Sequence, residues 1–534
     1  MSTRPFASRM LVLVAVLALV AAACDSGGET PTDEGSPGTS TGGTIIHGTT
    51  DTIVSLDPAG QYDFGSNQIS QQVYNTLLEV PEGETTPQPA LADCVTDDSM
   101  VYTCTLQDGL TFSDGSELTS EDVAFSFQRN IEIDDPAGAC SLLASLAACG
   151  KWKDGVIETP DPQTVVFNLS APDAVWPFIL TTSAAFIVPS DVFPADELQA
   201  DGEIVGSGRY TLAQYRAGEQ VVLEANESFW GDPPLNDRVI VQYFDQSSAL
   251  KLAIEQGDVD IAWRTLTPTD VSSLQGQEGL SVLTGPGGEI RYLVFNTSLE
   301  PGNELAVRKA AAMVLDRQAI VDNVYEGTVD PLWSMVPAGF AGHIDVFKDV
   351  YGETPDVQGA EQVLKDAGVS TPVPIEIWWT PTHYGDASAD EYAEIQRSFE
   401  ESGLFTVTLK STEWDRYTEA AFTDQYPSYQ LGWFPDYVDG DNYVASFYSS
   451  SSFLNDHFDS KEVDDLIATE RASTDQAERE AAFERIQEIG AAEVPIIPVW
   501  QGTQLAIVRD GVEGVQATLD PTYIFRYWGI TKAS

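Results

Sequence analysis

Aromatic rings crowd one stretch of the chain: Trp378, Trp379, Tyr384, Trp414, Tyr417, Tyr426, Tyr429, Trp433, Phe434, Tyr437 and Tyr443. Within it, Gly432-Trp433-Phe434-Pro435-Asp436-Tyr437 sets large rings, a proline and a single acid side by side. Pockets for small ligands have apolar walls and a few placed polar groups. A carboxylate between rings can hold an ammonium by charge-assisted hydrogen bonds, and the ring faces add cation–π attraction. An ordinary core of a large protein accounts for many of the same rings.

The residues that would break bonds are not arranged to do so. There is no H-E-x-x-H and no G-x-x-x-x-G-K-[ST]. Gly38-Thr39-Ser40-Thr41-Gly42 spells G-x-S-x-G but lies in a small, polar stretch with no strand before it. The histidines His47, His343, His383 and His457 are scattered, and none stands at ligand spacing. With 83 Asp and Glu, no glycosidase pair can be singled out. Asp436, Asp439 and Asp441 with Gly440 do not fit the spacing of a calcium loop, which also needs a distal Glu. No catalytic residue, metal or cofactor is expected. The balance of 26 Lys and Arg against 83 acids gives a net charge of −57, which repels nucleic-acid phosphate and anionic lipid. Nucleic acid is therefore excluded as a partner, and an acidic ligand would need a local basic pocket.

These residues need a scaffold. A chain of 534 residues is too long for one simple core, and 43% hydrophobic content is ample for two or three. Strand-like runs fall at Thr44–Gly48, Val101–Leu106, Thr164–Leu169, Gln220–Glu224, Val239–Phe244, Tyr292–Asn296, Ile375–Trp379, Thr406–Leu409 and Ile496–Trp500. Helical patterns fall at Ser120–Asn130, Ser247–Gln256, Glu304–Leu315, Ala360–Ala367, Asp390–Glu401, Lys461–Glu470 and Asp475–Ala492. Thr119 or Ser120 with Glu121 and Asp122 reads as a helix start. Such mixing argues for α/β layers.

The first residues read as a targeting segment. Arg4 and Arg9 precede the apolar run Met10 to Ala23, which is too short to span a bilayer. Ala21-Ala22-Ala23-Cys24 is similar to a bacterial lipobox, so residues 1–23 are expected to be removed and Cys24 to be lipidated, although Ala21 stands where Leu is usual. Asp25 to Gly43 has the composition of a flexible tether. Cys94, Cys104, Cys140 and Cys149 then remain in an oxidising compartment; three pairings are possible, and proximity favours Cys94–Cys104 and Cys140–Cys149.

The order of short motifs resembles the extracellular solute-binding proteins of the oligopeptide/dipeptide/nickel class. "S-L-D-P" is Ser55-Leu56-Asp57-Pro58, followed by Val73 to Leu78. The run "L-R-D-G-x-x-F-x-D-G" is Leu106 to Gly115, with Gln107 replacing the basic residue, and leads to Ser120–Phe127. "V-G-[ST]-G-x-Y" is Val205 to Tyr210, "G-D-V-D-I" is Gly257 to Ile261, and "F-N-T-S" is Phe295 to Ser298. The late "W-x-x-D-Y-x-D" is Trp433 to Asp439, and "E-V-P-I-I-P" is Glu493 to Pro498.

The resemblance implies a two-lobed periplasmic-binding-protein-like fold, type II and of the large cluster C, with an extra inserted domain. It implies domain I from 44–78, 201–296 and 500–534, domain II at 79–200 and domain III at 297–499. A ligand, a peptide by this reading, would be buried between domains I and III by hinge closure and passed to ABC permease subunits. The protein would be a monomer on the outer face of the membrane, attached through its lipid alone. Asp436 would grip an α-ammonium. Trp414, in Glu413-Trp414-Asp415-Arg416-Tyr417, would wall a side-chain pocket, and Trp433, Phe434 and Tyr437 would offer rings and backbone. Tyr62, Asp63 and Phe64 would approach from domain I. Gln430 stands where some members carry Arg, which leaves Arg416, Arg291 and His383 as partners for a ligand carboxylate. The same fold could take an oligosaccharide, an opine or a nickel chelate; a secreted lipoprotein hydrolase is the rival from another class.

Overall fold

The structure is a computed structural model that describes residues 43–264, 266–385 and 387–533. The expected signal segment, the lipidation site Cys24 and the tether up to residue 42 lie outside the described residues.

One mixed sheet forms the frame. Its strands run in space as Phe405–Ser411, Val373–Trp379, Ser428–Trp433, Leu280–Phe295, Ile496–Arg509, Ile261–Trp263, Thr44–Thr49, Arg238–Tyr243, Gln220–Ala225 and Tyr210–Arg216. Two long antiparallel strands, Leu280–Phe295 and Ile496–Arg509, lie side by side in its middle, and their register shifts between Pro286 and Ile290. Before the shift, Leu280 to Pro286 lie opposite Thr503 to Arg509, which also abut Ile261–Trp263. After it, Ile290 to Val294 stay opposite Ile496 to Gln501, and Ile290 to Phe295 also pair with Ser428–Trp433 on their other edge.

Each half packs its own core. The first lobe gathers Ile45, Val221, Leu223, Val239, Val241, Trp263, Val508 and Phe525. The second gathers Leu293, Phe295, Ile375, Ile377, Tyr392 and Ile497 on one side of its sheet, and Tyr292, Tyr417, Tyr429, Phe447 and Phe483 on the other. The alternation of buried and less buried residues along strands such as Arg238–Tyr243 is what lets one face be covered.

A third core lies between Leu77 and Ile187. There the antiparallel strands Ala92–Val95, Val101–Leu106, Thr164–Asn168 and Ile157–Asp161 pack on the helix Ser120–Ile133 around Phe127, Phe167 and Trp176. That helix starts at a capping box in which Thr119 and Asp122 satisfy each other's backbone N–H. Cys94 and Cys104 face each other across the hairpin and are joined, as are Cys140 and Cys149. Asp134 lies beside the second pair, but both sulfurs there are spent in the disulfide.

The Ser55-Leu56-Asp57-Pro58 run is a lock between the first lobe and this insertion. Buried Asp57 caps its own turn through Ala59 N–H at 2.9 Å and takes both arms of Arg129, from the helix Ser120–Ile133, at 2.6 and 2.5 Å. Among the described residues no helix is long and apolar enough to cross a membrane.

Candidate functional site

The strand Ser428–Trp433 ends at the border between the lobes, where Trp433 pairs with Ile290. The chain then runs irregularly until the helix Asp441–Tyr448 begins. Asn442, in the first turn of that helix, holds the loop. Its Oδ1 accepts from Trp433 Nε1 at 2.8 Å and from Asp436 N–H at 3.1 Å, while its Nδ2 donates to Asp436 Oδ2 at 3.0 Å. The other oxygen of Asp436 accepts from the Tyr62 hydroxyl, which comes from the first lobe. Burial raises the Asp436 carboxyl above its ordinary value, and the bonds from Tyr62 and Asn442 work against that rise.

Opposite this loop stands the helix Phe64–Val73. Asp63 is its N-cap and accepts from Ser66 N–H at 2.8 Å. Gly65 lets the helix lie against the preceding segment, because a Cβ there would stand 2.1 Å from Thr52 O. The helix, the loop 432–438 and the segment 521–524 enclose a cavity of about 540 Å³. Tyr62, Asp63, Phe64, Trp433, Phe434, Asp436 and Tyr437 all line it. Trp414 does not; it lies behind, stacked at 3.7 Å on His383, which does line the cavity. Arg416 points outward on the exposed face of its helix. Asp439 and Asp441 are committed to Arg479 and Arg471, which leaves neither free for a cation.

Two cations face the cavity. Arg291 is nearly buried, bonded to Glu289 at 2.7 Å, and lies over the rings of Tyr384 and Trp500. Burial opposes its charge, but Glu289 more than restores it, while burial and Arg291 together lower His383 to about 4. His383 is thus a neutral ring at neutral pH.

Arg264, which the sequence reading passed over, is the second. Its guanidinium carbon lies 3.9 Å from the Phe64 centroid and 5.0 Å from that of Phe434, so it bridges rings of the two lobes. Its φ of 61° is left-handed, a conformation that costs a non-glycine residue energy and is held by surroundings. Asp51 restrains it at 3.3 Å. No local motif marks such a residue. A second hollow, of about 640 Å³ over residues 468–478, has no ring or cation in its lining and offers nothing comparable.

A ring-walled cleft between two lobes, with a paired carboxylate and bracketed arginines, is the architecture of a two-lobed binding protein. The chain belongs to the bacterial extracellular solute-binding proteins, family 5, whose middle region matches residues 86–455. It is 26% identical over 532 residues to heme-binding protein A of Haemophilus influenzae, covering 94% of this chain and 95% of that one. It is 25% identical over 471 residues to the dipeptide-binding protein of Escherichia coli, covering 83% and 86%. The same fold is found in HbpA2 of Haemophilus parasuis (TM-score 0.81, 20% identity, 92% of this chain and 100% of that one). It recurs in the periplasmic binding protein DppA of Helicobacter pylori, solved with the peptide STSA (TM-score 0.75, 23% identity, 92% and 98%).

Proposed function

We propose that this protein captures peptides outside the cell membrane and hands them to an ABC importer, without chemistry of its own. The carrying observation is Asp436: a carboxylate at the seam of two lobes, walled by Trp433, Phe434 and Tyr437 and already bonded from both sides. A peptide's α-ammonium supplies the charge that a partly buried carboxylate lacks. Arg264, slung between Phe64 and Phe434, offers a cation to the other end of the ligand. Peptide names and ligands among the relatives support the same class.

In this reading the lobes close over the ligand about the crossing at Gly287-Gly288 and Gly502, where the register of the two long strands shifts. We place the seam between domains I and III there. Residues 79–200 form the inserted domain, and Cys24 carries the lipid that holds a monomer at the outer face of the membrane.

The test is calorimetry with a tripeptide and its N-acetylated form. Acetylation and Asp436→Asn should each weaken binding by about 1.5–3 kcal/mol, the worth of a hydrogen bond to a charged group. Together they should cost little more than either alone, because they remove the same contact. Equal affinity of Asp436→Asn and the wild type for the free peptide would remove Asp436 from the site.

A further inference from the structure

The cavity wall formed by the helix Phe64–Val73 is rich in acceptors that have nothing to accept. Asp63, Asn67 and Gln71 recur every four residues and so share one face, with Gln68 beside them. All four line the cavity. One oxygen of Asp63 caps the helix, but Asp63 Oδ2, Asn67 Oδ1, Gln68 Oε1 and Gln71 Oε1 are buried without a partner among the described residues.

The orientation of Gln68, only 2% exposed, is fixed from behind. Burial lowers His47 to about 3, so its ring is neutral, and Tyr527 bonds its Nδ1. Gln68 Nε2 donates to the Tyr527 hydroxyl at 2.9 Å and lies 3.1 Å from His47 Nδ1. The amide nitrogen of Gln68 is therefore used and its oxygen is left over.

The protein's own cations do not fill the gap. Arg264 is paired with Asp51 and Arg291 with Glu289. What the wall lacks is a compact group with several N–H donors and a positive charge. An ammonium carries three such donors and a guanidinium five.

We propose that this face is a subsite for the basic side chain of a bound peptide, a lysine ammonium or an arginine guanidinium, separate from Asp436 and its α-ammonium. The assignment rests on the peptide reading above. The net charge of −57 favours the approach of such a ligand.

The test compares Ala-Ala-Ala peptides carrying lysine at each position in turn with the same peptides carrying norleucine, which keeps the chain and drops the charge. At one position the lysine peptide should bind about tenfold tighter, as for a charged hydrogen-bonded contact. Asp63→Asn should bring the lysine-to-norleucine affinity ratio at that position down towards one, whatever it does to the norleucine peptide itself. Asparagine keeps an oxygen to cap Ser66 N–H, so the helix survives; if melting shows otherwise, Gln71→Leu reads the same contrast. A lysine advantage absent at every position, or one that survives both variants, overturns the subsite while the norleucine peptides still bind. Failure of every peptide to bind overturns the peptide reading itself, and the subsite with it.

Discussion

Asp456 sits away from the cleft, yet it is the carboxyl whose titration the fold most plainly sets. It is 2% exposed, and one of its oxygens has no partner. Burial lifts it to about 6, against the pull of the Phe458 N–H at 3.1 Å. The folded chain thus keeps a proton that the unfolded chain gives up between about pH 4 and 6. Stability from this group is lost as pH rises through 6 and regained as it falls toward 4. The cost at neutral pH is up to about 3 kcal/mol at 1.36 kcal/mol per pKa unit. Asp456→Asn should raise the melting temperature at pH 7.5 and lose that advantage at pH 4.5; an equal effect at both would show that charge is not the cause.

At the same scale, Asp436 and its neighbouring rings were legible in the sequence because they are contiguous. Arg264 was not, because its role depends on a left-handed backbone and on rings far away in the chain.

Among the elements, the helices Lys461–Ala472 and Gln476–Glu493 are tied to the site loop by buried charge. Arg479 makes a two-pronged contact with Asp439 at 3.0 and 2.7 Å and reaches Glu470 at 3.1 Å, while Arg471 pairs with Asp441 at 2.8 Å. Burial and the neighbouring Asp441 drive Glu470 toward its protonated form, while Arg471 and Glu470 hold Asp441 below the usual carboxylate range against its own burial. Removing one member of such a group leaves the others buried and uncompensated. Arg479→Met should cost about 3–5 kcal/mol in chemical denaturation; a loss under about 1 kcal/mol would mean that the acids simply neutralise.

Elements with regular periodicity were readable: Val101–Leu106 and Ser247–Gln256 have the bounds that the pattern indicates. The long strands were seen only at Tyr292–Asn296 and Ile496–Trp500. Their other halves carry Gly285-Pro286-Gly287-Gly288 and Gln501-Gly502-Thr503-Gln504, which read locally as breaks but are carried by pairing across the sheet. The helix Phe64–Val73 was missed because Gly, Ser and Asn give it little intrinsic tendency, and its cap and packing supply the rest.

For the molecule as a whole, the proposed hinge lies at the crossing of the long strands. Gly288 is hemmed in there: a Cβ would stand 2.7 Å from Pro435 and 2.8 Å from both Phe340 and Tyr443. Its N–H and carbonyl are held by the hydroxyls of Tyr523 and Tyr443, one from each lobe. Gly288→Ala should push the loop bearing Asp436 outward, weaken peptide binding by about tenfold as overpacking does, and reduce the contraction on peptide addition measured by small-angle scattering. Wild-type affinity and contraction in that variant would show that the crossing is not where the lobes move.

The position of Thr44–Thr49 bears on how the chain is made. Although it is the earliest strand among the described residues, it lies inside the great sheet, parallel to Arg238–Tyr243 on one flank and Ile261–Trp263 on the other. Ile261–Trp263 in turn leans on Ala506 to Val508, near the far end of the chain. Synthesis therefore delivers the middle of the structure first and its binding staple last. Until the final long strand is available, the four strands between Leu77 and Ile187 have all their own partners, whereas the frame around them does not, so completion of the frame waits on the most distant pairings.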